Sequence, residues 1–160
     1  MSGTPLPVKP TTVPHCALVL GWAGVTPFVV LSVTTLWLEN DIRASAQNML
    51  VAYGAIILGF MGGVQWGLAM LMFNTPIGAC SPRLCLIASV VPAIFAFAAV
   101  LAASADYHLA AGVVLIVGFV GLLMYDIATV RRGGAPSWYS TLRVGLTVAV
   151  VASLSIAGWS

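Results

Sequence analysis

Long apolar stretches, separated by short polar or charged segments, run along nearly the whole chain. A helix needs about 20 mostly apolar residues to cross the hydrocarbon core of a bilayer. The charged residues and the turn-forming segment 74–82 (NTPIGACSP) divide the apolar stretches into five segments of roughly that length. The sequence therefore predicts five transmembrane spans, at about residues 17–38, 47–73, 84–103, 109–126 and 140–160.

The apolar stretches favour helices over strands. A membrane-spanning strand alternates apolar and polar residues over about ten positions, whereas these stretches are continuously apolar. Backbone hydrogen bonding in lipid permits only helices or closed barrels. We predict an all-α fold, a polytopic membrane bundle of five transmembrane helices. It forms a single integral membrane domain over residues 1–160, with an N-terminal tail at about 1–14.

The composition indicates that lipid is the main solvent of this chain. It is 61% hydrophobic and only 6% charged, against about 25% charged residues in soluble domains. The net charge of +2 is small and scattered, so no nucleic-acid partner is expected. The first residues do not resemble a signal peptide, so we expect the first span to remain in the mature protein.

The distribution of basic residues predicts an orientation. With five spans, the N-terminus, the 2–3 loop and the 4–5 loop share one side of the membrane. That side carries Lys9, Arg83, Arg131, Arg132 and Arg143, whereas the other side carries only Arg43. The positive-inside rule then predicts a cytoplasmic N-terminus and a periplasmic C-terminus, in a multi-pass protein of the cell inner membrane.

The second span contains a stripe of small residues. Gly59, Gly63 and Gly67 are four residues apart, and Gly62 and Trp66 fall on the same broad face at 100° per residue. Such G-x-x-x-G patterns allow another helix backbone to approach closely in lipid. The stripe predicts either packing within the bundle or a face for a partner subunit, a pigment or a lipid chain.

Several uncharged residues are candidates for lining a ligand site. Gln65, near the middle of the second span, needs hydrogen bonds in lipid, either from a neighbouring helix or from a polar ligand group. Pro92 interrupts the hydrogen bonding of the third span, and such a break either accommodates packing or lines a path. Together with Trp66 and Trp22, these residues form the predicted ligand-lining set.

Asp126 is the deepest candidate charge in the predicted spans. It lies at the cytoplasmic end of the fourth span, and Arg143 lies at the start of the fifth on the same side. We expect a salt bridge between them at the rim of the bundle. A proton-handling role for Asp126 is the alternative interpretation.

Catalytic and metal-binding signatures are not recognisable in the sequence. No nucleophile elbow, phosphate loop or H-E-x-x-H motif occurs. His15, Cys16, Cys80 and Cys85 fall on one side of the membrane, but their spacing is unlike a compact C-x-x-C zinc unit. We therefore predict no metal site, no cofactor, no catalytic residues and no enzymatic activity.

Four stretches carry a resemblance to a known family: YGAIILGFMGGVQWG (53–67), SVVPAIFAF (89–97), LLMYD (122–126) and PSWYSTLR (136–143). In this order they resemble the five-span family called domain of unknown function 3429, which has mitochondrial relatives named transmembrane protein 69. The resemblance implies the fold and the membrane setting. That family often has a histidine before the tryptophan of the second span, where this chain has Gln65.

Three function classes follow from these features. The first is a non-catalytic accessory or structural subunit that packs against a larger membrane complex, with a respiratory or photosynthetic complex suggested by the mitochondrial relatives. The second is a membrane protein that binds a lipid, quinone or tetrapyrrole between its helices. The third is a small transporter, which the absence of a charge at mid-depth disfavours. The expected partners are the lipid bilayer and other membrane subunits.

Overall fold

The structure, a computed structural model, describes residues 12–37, 40–72 and 82–159. These residues form five helices: α1 (His15–Trp37), α2 (Asn40–Met72), α3 (Pro82–Ser104), α4 (His108–Arg131) and α5 (Ser137–Trp159). All five are long and apolar enough to cross a membrane. The predicted all-α, five-helix membrane fold is thereby confirmed.

The helices extend beyond the predicted spans. α2 begins at Asn40, seven residues before the predicted start, and has 33 residues. At 1.5 Å per residue it is about 50 Å long, well over the roughly 30 Å of the hydrocarbon core. Most of the predicted turn 74–82 and the residues Lys9, Glu39 and Cys80 lie outside the described residues.

Two tight turns set the antiparallel order of the last three helices. After α4, the N–H of Gly134 donates to the carbonyl of Thr129 and the N–H of Gly133 donates to that of Val130, both at 2.9 Å. Gly133 has a φ of 79°, which completes a Schellman motif. The same bond pattern ends α3, where Asp106 takes the left-handed conformation with a φ of 63°.

The five helices pack as a closed ring. Each helix contacts its neighbours in sequence, α1 also contacts α5, and α2 contacts α4 across the ring. Phe28 occupies the centre, with edge-on ring contacts to Tyr53 at 5.1 Å and to Phe119 at 6.1 Å between centroids. Leu58 and Leu115, both fully buried, complete this core between α2 and α4.

Small residues permit the closest helix contacts. A Cβ atom at Gly62 would lie 2.7 Å from the backbone oxygen of Ser89, so α2 and α3 approach to backbone contact there. A Cβ at Gly118 would lie 2.6 Å from Leu58, and one at Gly54 would lie 2.8 Å from Leu115. Without side chains at these positions, the core leucines fit between α2 and α4.

Candidate functional site

Three buried polar side chains from different helices meet inside the bundle. The Arg143 Nε atom of α5 donates to Oδ2 of Asp126 on α4 at 2.6 Å. The Gln65 amide of α2 donates to the other carboxylate oxygen, Oδ1. Both oxygens of the carboxylate are therefore hydrogen-bonded, and we call these three residues the polar cluster.

The three residues meet because they lie at similar depths. Gln65 is seven residues before the end of α2, Asp126 five before the end of α4, and Arg143 six after the start of α5. At 1.5 Å per residue, each lies roughly 7–11 Å inside its helix end. The Schellman turn after α4 returns α5 antiparallel to α4 and so brings Arg143 alongside Asp126.

The position of the ion pair differs from the expected rim. The Asp126 side chain is 0% exposed and that of Arg143 is 6% exposed, so the pair is enclosed by protein rather than extended to the headgroups. Charges in a membrane interior are stable when they pair and when their remaining hydrogen-bonding capacity is used. Gln65 supplies an additional hydrogen bond to the carboxylate, which helps to offset the cost of burying its charge.

A groove between α1, α2 and α5 begins beside the polar cluster. It has a volume of about 140 Å³, and Arg143 and Thr147 are the polar residues that line it. We call it the Arg143 groove. Its apolar walls include Leu20, Val25, Phe28, Phe60, Met61 and Phe119.

Two buried polar atoms in the lining of this groove have no hydrogen-bond partner among the described residues. They are Nη2 of Arg143 and Oγ1 of Thr147. Thr147 is only 3% exposed, so lipid or water at the outer surface does not reach it. Both atoms are buried behind the surface of the groove, so the lining that a molecule in the groove could reach is mainly apolar.

A second groove lies between α3 and α4, with a volume of about 260 Å³. Pro92 and Phe95 of α3 face Gly118 and Gly121 of α4 across it. Its lining is apolar except for Tyr125. We call it the α3–α4 groove, and its mainly apolar lining suits hydrocarbon.

The glycine stripe of α2 divides between two environments. Gly62 packs against α3, as expected of a helix-packing residue. In the described part of the chain, a Cβ atom at Gly59, Gly63 or Gly67 would meet nothing within 4 Å. Packing inside the bundle thus does not account for these three glycines. Trp66 beside them is 46% exposed, so this face of α2 points outward.

The structure does not gather the predicted ligand-lining residues at one groove. Pro92 lines the α3–α4 groove, whereas Gln65 bonds to Asp126 in the polar cluster. Trp66 lies on the outer face of α2, and Trp22 is 48% exposed on α1. Sequence reasoning missed Thr147, which lies one helical turn after Arg143 and therefore on the same face of α5.

The predicted absence of a metal site stays a prediction. Cys80 lies outside the described residues. Of the other thiols, Cys16 is exposed and Cys85 is buried, and both are free. Over residues 12–37, 40–72 and 82–159, no three His, Cys, Asp or Glu side chains come close enough to hold a metal ion.

The comparisons with known proteins agree with this architecture. The family described as "Protein of unknown function (DUF3429)" matches residues 13–158. This chain belongs to the DUF3429 family. The matched region of this DUF3429 protein contains the polar cluster, both grooves and the outward glycines.

A curated relative extends the family assignment. This DUF3429 chain is 41% identical over 145 residues to Transmembrane protein 69 of Xenopus tropicalis. The alignment covers 88% of the chain and 53% of that protein, so the chain spans about half the length of the relative. No solved structure shows significant similarity to the chain.

Proposed function

We propose that this protein is a non-catalytic accessory subunit that packs against a larger membrane complex through the outer face of α2. The observation that supports the proposal is the open row of Gly59, Gly63 and Gly67. Ile56 and Met70 continue the row three residues before Gly59 and three residues after Gly67, and both are exposed. We call these five residues the α2 outer face.

The physics of helix association in lipid favours a protein partner for this face. Lipid tails are as apolar as leucine, so burying apolar area does not by itself drive two helices together. Close backbone approach at small residues adds van der Waals contact that bulky side chains prevent. Three glycines at a spacing of four provide such a surface, and the bundle itself leaves it uncovered.

The proposed setting is the cell inner membrane, with the N-terminus in the cytoplasm. The support is the excess of Lys and Arg on the side of the N-terminus and the 2–3 and 4–5 loops. In this orientation the polar cluster lies in the cytoplasmic half of the bundle. A respiratory or photosynthetic complex remains the partner class that the resemblance suggests.

The experiment is purification from the native membrane in a mild detergent, followed by mass and absorption spectra of the associated polypeptides. The test variant is Gly63→Leu, because no described atom lies within 4 Å of the new Cβ. The bundle should fold normally while the larger side chain blocks a partner helix. The matched control is Gly121→Leu, another exposed glycine with open space above it.

The outcomes separate the proposal from its competitors. We expect large polypeptides to purify with the wild type and with Gly121→Leu, and to be lost with Gly63→Leu. Haem or chlorophyll in the associated fraction would identify the complex as respiratory or photosynthetic. A wild-type protein that purifies alone, or a partner retained equally by both variants, would refute the proposal.

A further inference from the structure

We infer that a cleft between the end of α4 and the start of α5 binds one anionic phospholipid, with the lipid phosphate at Arg131 and an acyl chain against the apolar wall beside it. The inference concerns a different surface from the α2 outer face and does not depend on the proposed subunit role. We call this surface the α4–α5 cleft, and it is lined by Ile127, Val130, Arg131, Ser140, Thr141 and Val144.

The α4–α5 cleft is large and accessible from outside the bundle. It has a volume of about 430 Å³, against about 260 Å³ for the α3–α4 groove. Ligand pockets in proteins commonly measure roughly 300–1,000 Å³. Arg131, Thr141 and Val144 are all exposed, so a bound molecule can touch the groups on which the inference depends.

The two arginines at the end of α4 are not used by the fold. Basic side chains at a helix C-terminus often bond to its last carbonyls. Here the backbone N–H groups of Arg132, Gly133 and Gly134 already donate to those carbonyls, at 2.9–3.1 Å. In the described part of the chain, the side chains of Arg131 and Arg132 make no hydrogen bond or ion pair. Both are exposed, so two positive charges are available to an external anion.

The acidic residues of the chain do not neutralise this end of the bundle. The sequence has four of them, and Asp126 is already paired with Arg143. The other three lie beside the start of α2 or in the α3–α4 turn, at the opposite end of the antiparallel helices, and are Glu39, Asp41 and Asp106. The counter-charge for Arg131 must therefore come from another molecule.

The cleft crosses the boundary between headgroups and hydrocarbon. α4 has 24 residues and is thus about 36 Å long, slightly longer than a hydrocarbon core of about 30 Å. Its last residue, Arg131, is then at the level of the headgroups, while Ile127 lies roughly 6 Å deeper. Val144 is seven residues after the start of α5, which is roughly 10 Å along that helix. The cleft is therefore charged at the surface and apolar below, in the same order as a phospholipid.

This arrangement distinguishes an anionic lipid from other phosphate compounds. A guanidinium binds phosphate through two parallel N–H donors. A free phosphate ion would use Arg131 but not the apolar wall of Ile127, Val130 and Val144. A zwitterionic lipid would bring its own cation to an end of the bundle that already has excess positive charge. An anionic phospholipid matches both the charge and the apolar wall.

The start of α5 adds hydrogen-bond donors on the other side of the cleft. The Ser140 hydroxyl donates to the carbonyl of Ser137 at 2.9 Å. The Thr141 hydroxyl makes no such bond with a described residue, so it can donate to a headgroup oxygen. The first turn of a helix also carries unpaired N–H groups and the positive end of the helix dipole. These groups favour the same anion as Arg131.

The test uses the purified full chain and native mass spectrometry with three probes. They are phosphatidylglycerol, phosphatidylcholine with the same acyl chains, and inorganic phosphate as a competitor. We expect saturable binding of one phosphatidylglycerol, with phosphatidylcholine bound roughly fivefold more weakly or less, as for one basic residue near an anionic lipid. Equal binding of the two lipids, or displacement of phosphatidylglycerol by millimolar phosphate, would overturn the inference.

Two variants locate the site. Arg131→Gln removes the charge and keeps a polar side chain, so phosphatidylglycerol should bind roughly fivefold more weakly. Val144→Trp fills the apolar part of the cleft with a large ring and should abolish the saturable binding.

Each variant has a matched control outside the cleft. Arg83→Gln removes another exposed arginine at the same end of the bundle. Val148→Trp places the same ring one helical turn further along α5, at a residue that is 62% exposed. Both controls should bind phosphatidylglycerol like the wild type. If Val144→Trp does not fold, the two arginine variants decide. Equal weakening by Arg131→Gln and Arg83→Gln, or no saturable binding to the wild type, would refute the site.

Discussion

Glycines on the inner and outer sides of α2 have different surroundings. On the inner side, Gly62 brings the backbone of α3 to within contact distance. On the outer side, Gly63 and Gly67 meet nothing in the described part of the chain. Inner packing therefore explains Gly62 and does not explain Gly63 or Gly67, for which we propose an external partner. A glycine spacing alone does not show which side of a membrane helix is occupied.

Two neighbouring residues of α2, Gln65 and Trp66, show the same difference between the two sides of the helix. Gln65 points inward and bonds to Asp126, while its neighbour Trp66 points outward among exposed apolar side chains. The inner side is therefore fixed by packing against α3 and by the hydrogen bond from Gln65 to Asp126 of α4. The outer side can change without disturbing either, and mutations on the two sides should differ accordingly.

The largest loss of stability is expected when Asp126, which accepts both hydrogen bonds of the polar cluster, is replaced. Asp126→Leu leaves the buried charge of Arg143 without a counter-ion, which should lower the free energy of unfolding by about 3–5 kcal/mol. The measurement is an SDS titration of the purified protein in mixed micelles, followed by far-UV circular dichroism.

A double variant separates the ion pair from the packing around it. Asp126→Leu combined with Arg143→Leu removes both charges and should recover most of the lost stability, because an apolar pair carries no unpaired charge. If Asp126→Leu alone unfolds at the wild-type SDS fraction, the cluster does not stabilise the inner side of α2.

The next largest effect is expected where α2 touches α3. Gly62→Ala adds a Cβ that would lie 2.7 Å from the backbone oxygen of Ser89, so the two helices must separate. Overpacking of this kind costs about 1–3 kcal/mol. The same SDS titration measures it, and an unchanged midpoint would show that α2 and α3 are not in backbone contact.

A smaller effect is expected from the amide that completes the cluster. Gln65→Leu removes one interhelical hydrogen bond and leaves the ion pair intact, so the loss should be about 0.5–2 kcal/mol. A loss as large as that of Asp126→Leu would mean that the ion pair cannot form without the amide. The two variants should be compared in one set of titrations.

The smallest effect is expected on the outer side. Gly63→Ala meets no described atom within 4 Å, so the stability of the isolated protein should change by less than about 0.5 kcal/mol, as for surface substitutions in general. Gly62→Ala is the adjacent comparison. If the two variants lose equal stability, the outer side of α2 is packed and the distinction between the sides fails.

The sequence was sufficient to predict the number of helices. Each apolar stretch must form its own backbone hydrogen bonds in lipid, so its length and its bounding charges define a span. The partners Asp126 and Arg143 could also be paired from the sequence, since both lie on one side of a five-span chain. That they are buried together with Gln65 became apparent only from the similar depths of the three residues in the folded helices.

The sequence could not show which side of each helix faces the core. A soluble helix reveals its inner face because the outer face is polar. Here the lipid-facing residue Phe60 and the core residue Phe28 are equally apolar. For the same reason the stripe of Gly59, Gly63 and Gly67 was compatible with both environments. Thr147 could not be singled out from the sequence either, because only the folded structure shows that its buried hydroxyl has no hydrogen-bond partner among the described residues.

The order of the polar-cluster residues along the chain also affects how the helices are inserted into the membrane. Its members leave the ribosome in the order Gln65, Asp126, Arg143, so the carboxylate of α4 reaches the membrane before the guanidinium of α5 does. Until α5 enters, Gln65 of α2 is the cluster member that can bond to Asp126. The antiparallel turn after α4 places Arg143 only 17 residues after Asp126 in the sequence. The counter-ion therefore follows the acid into the membrane after a short stretch of chain.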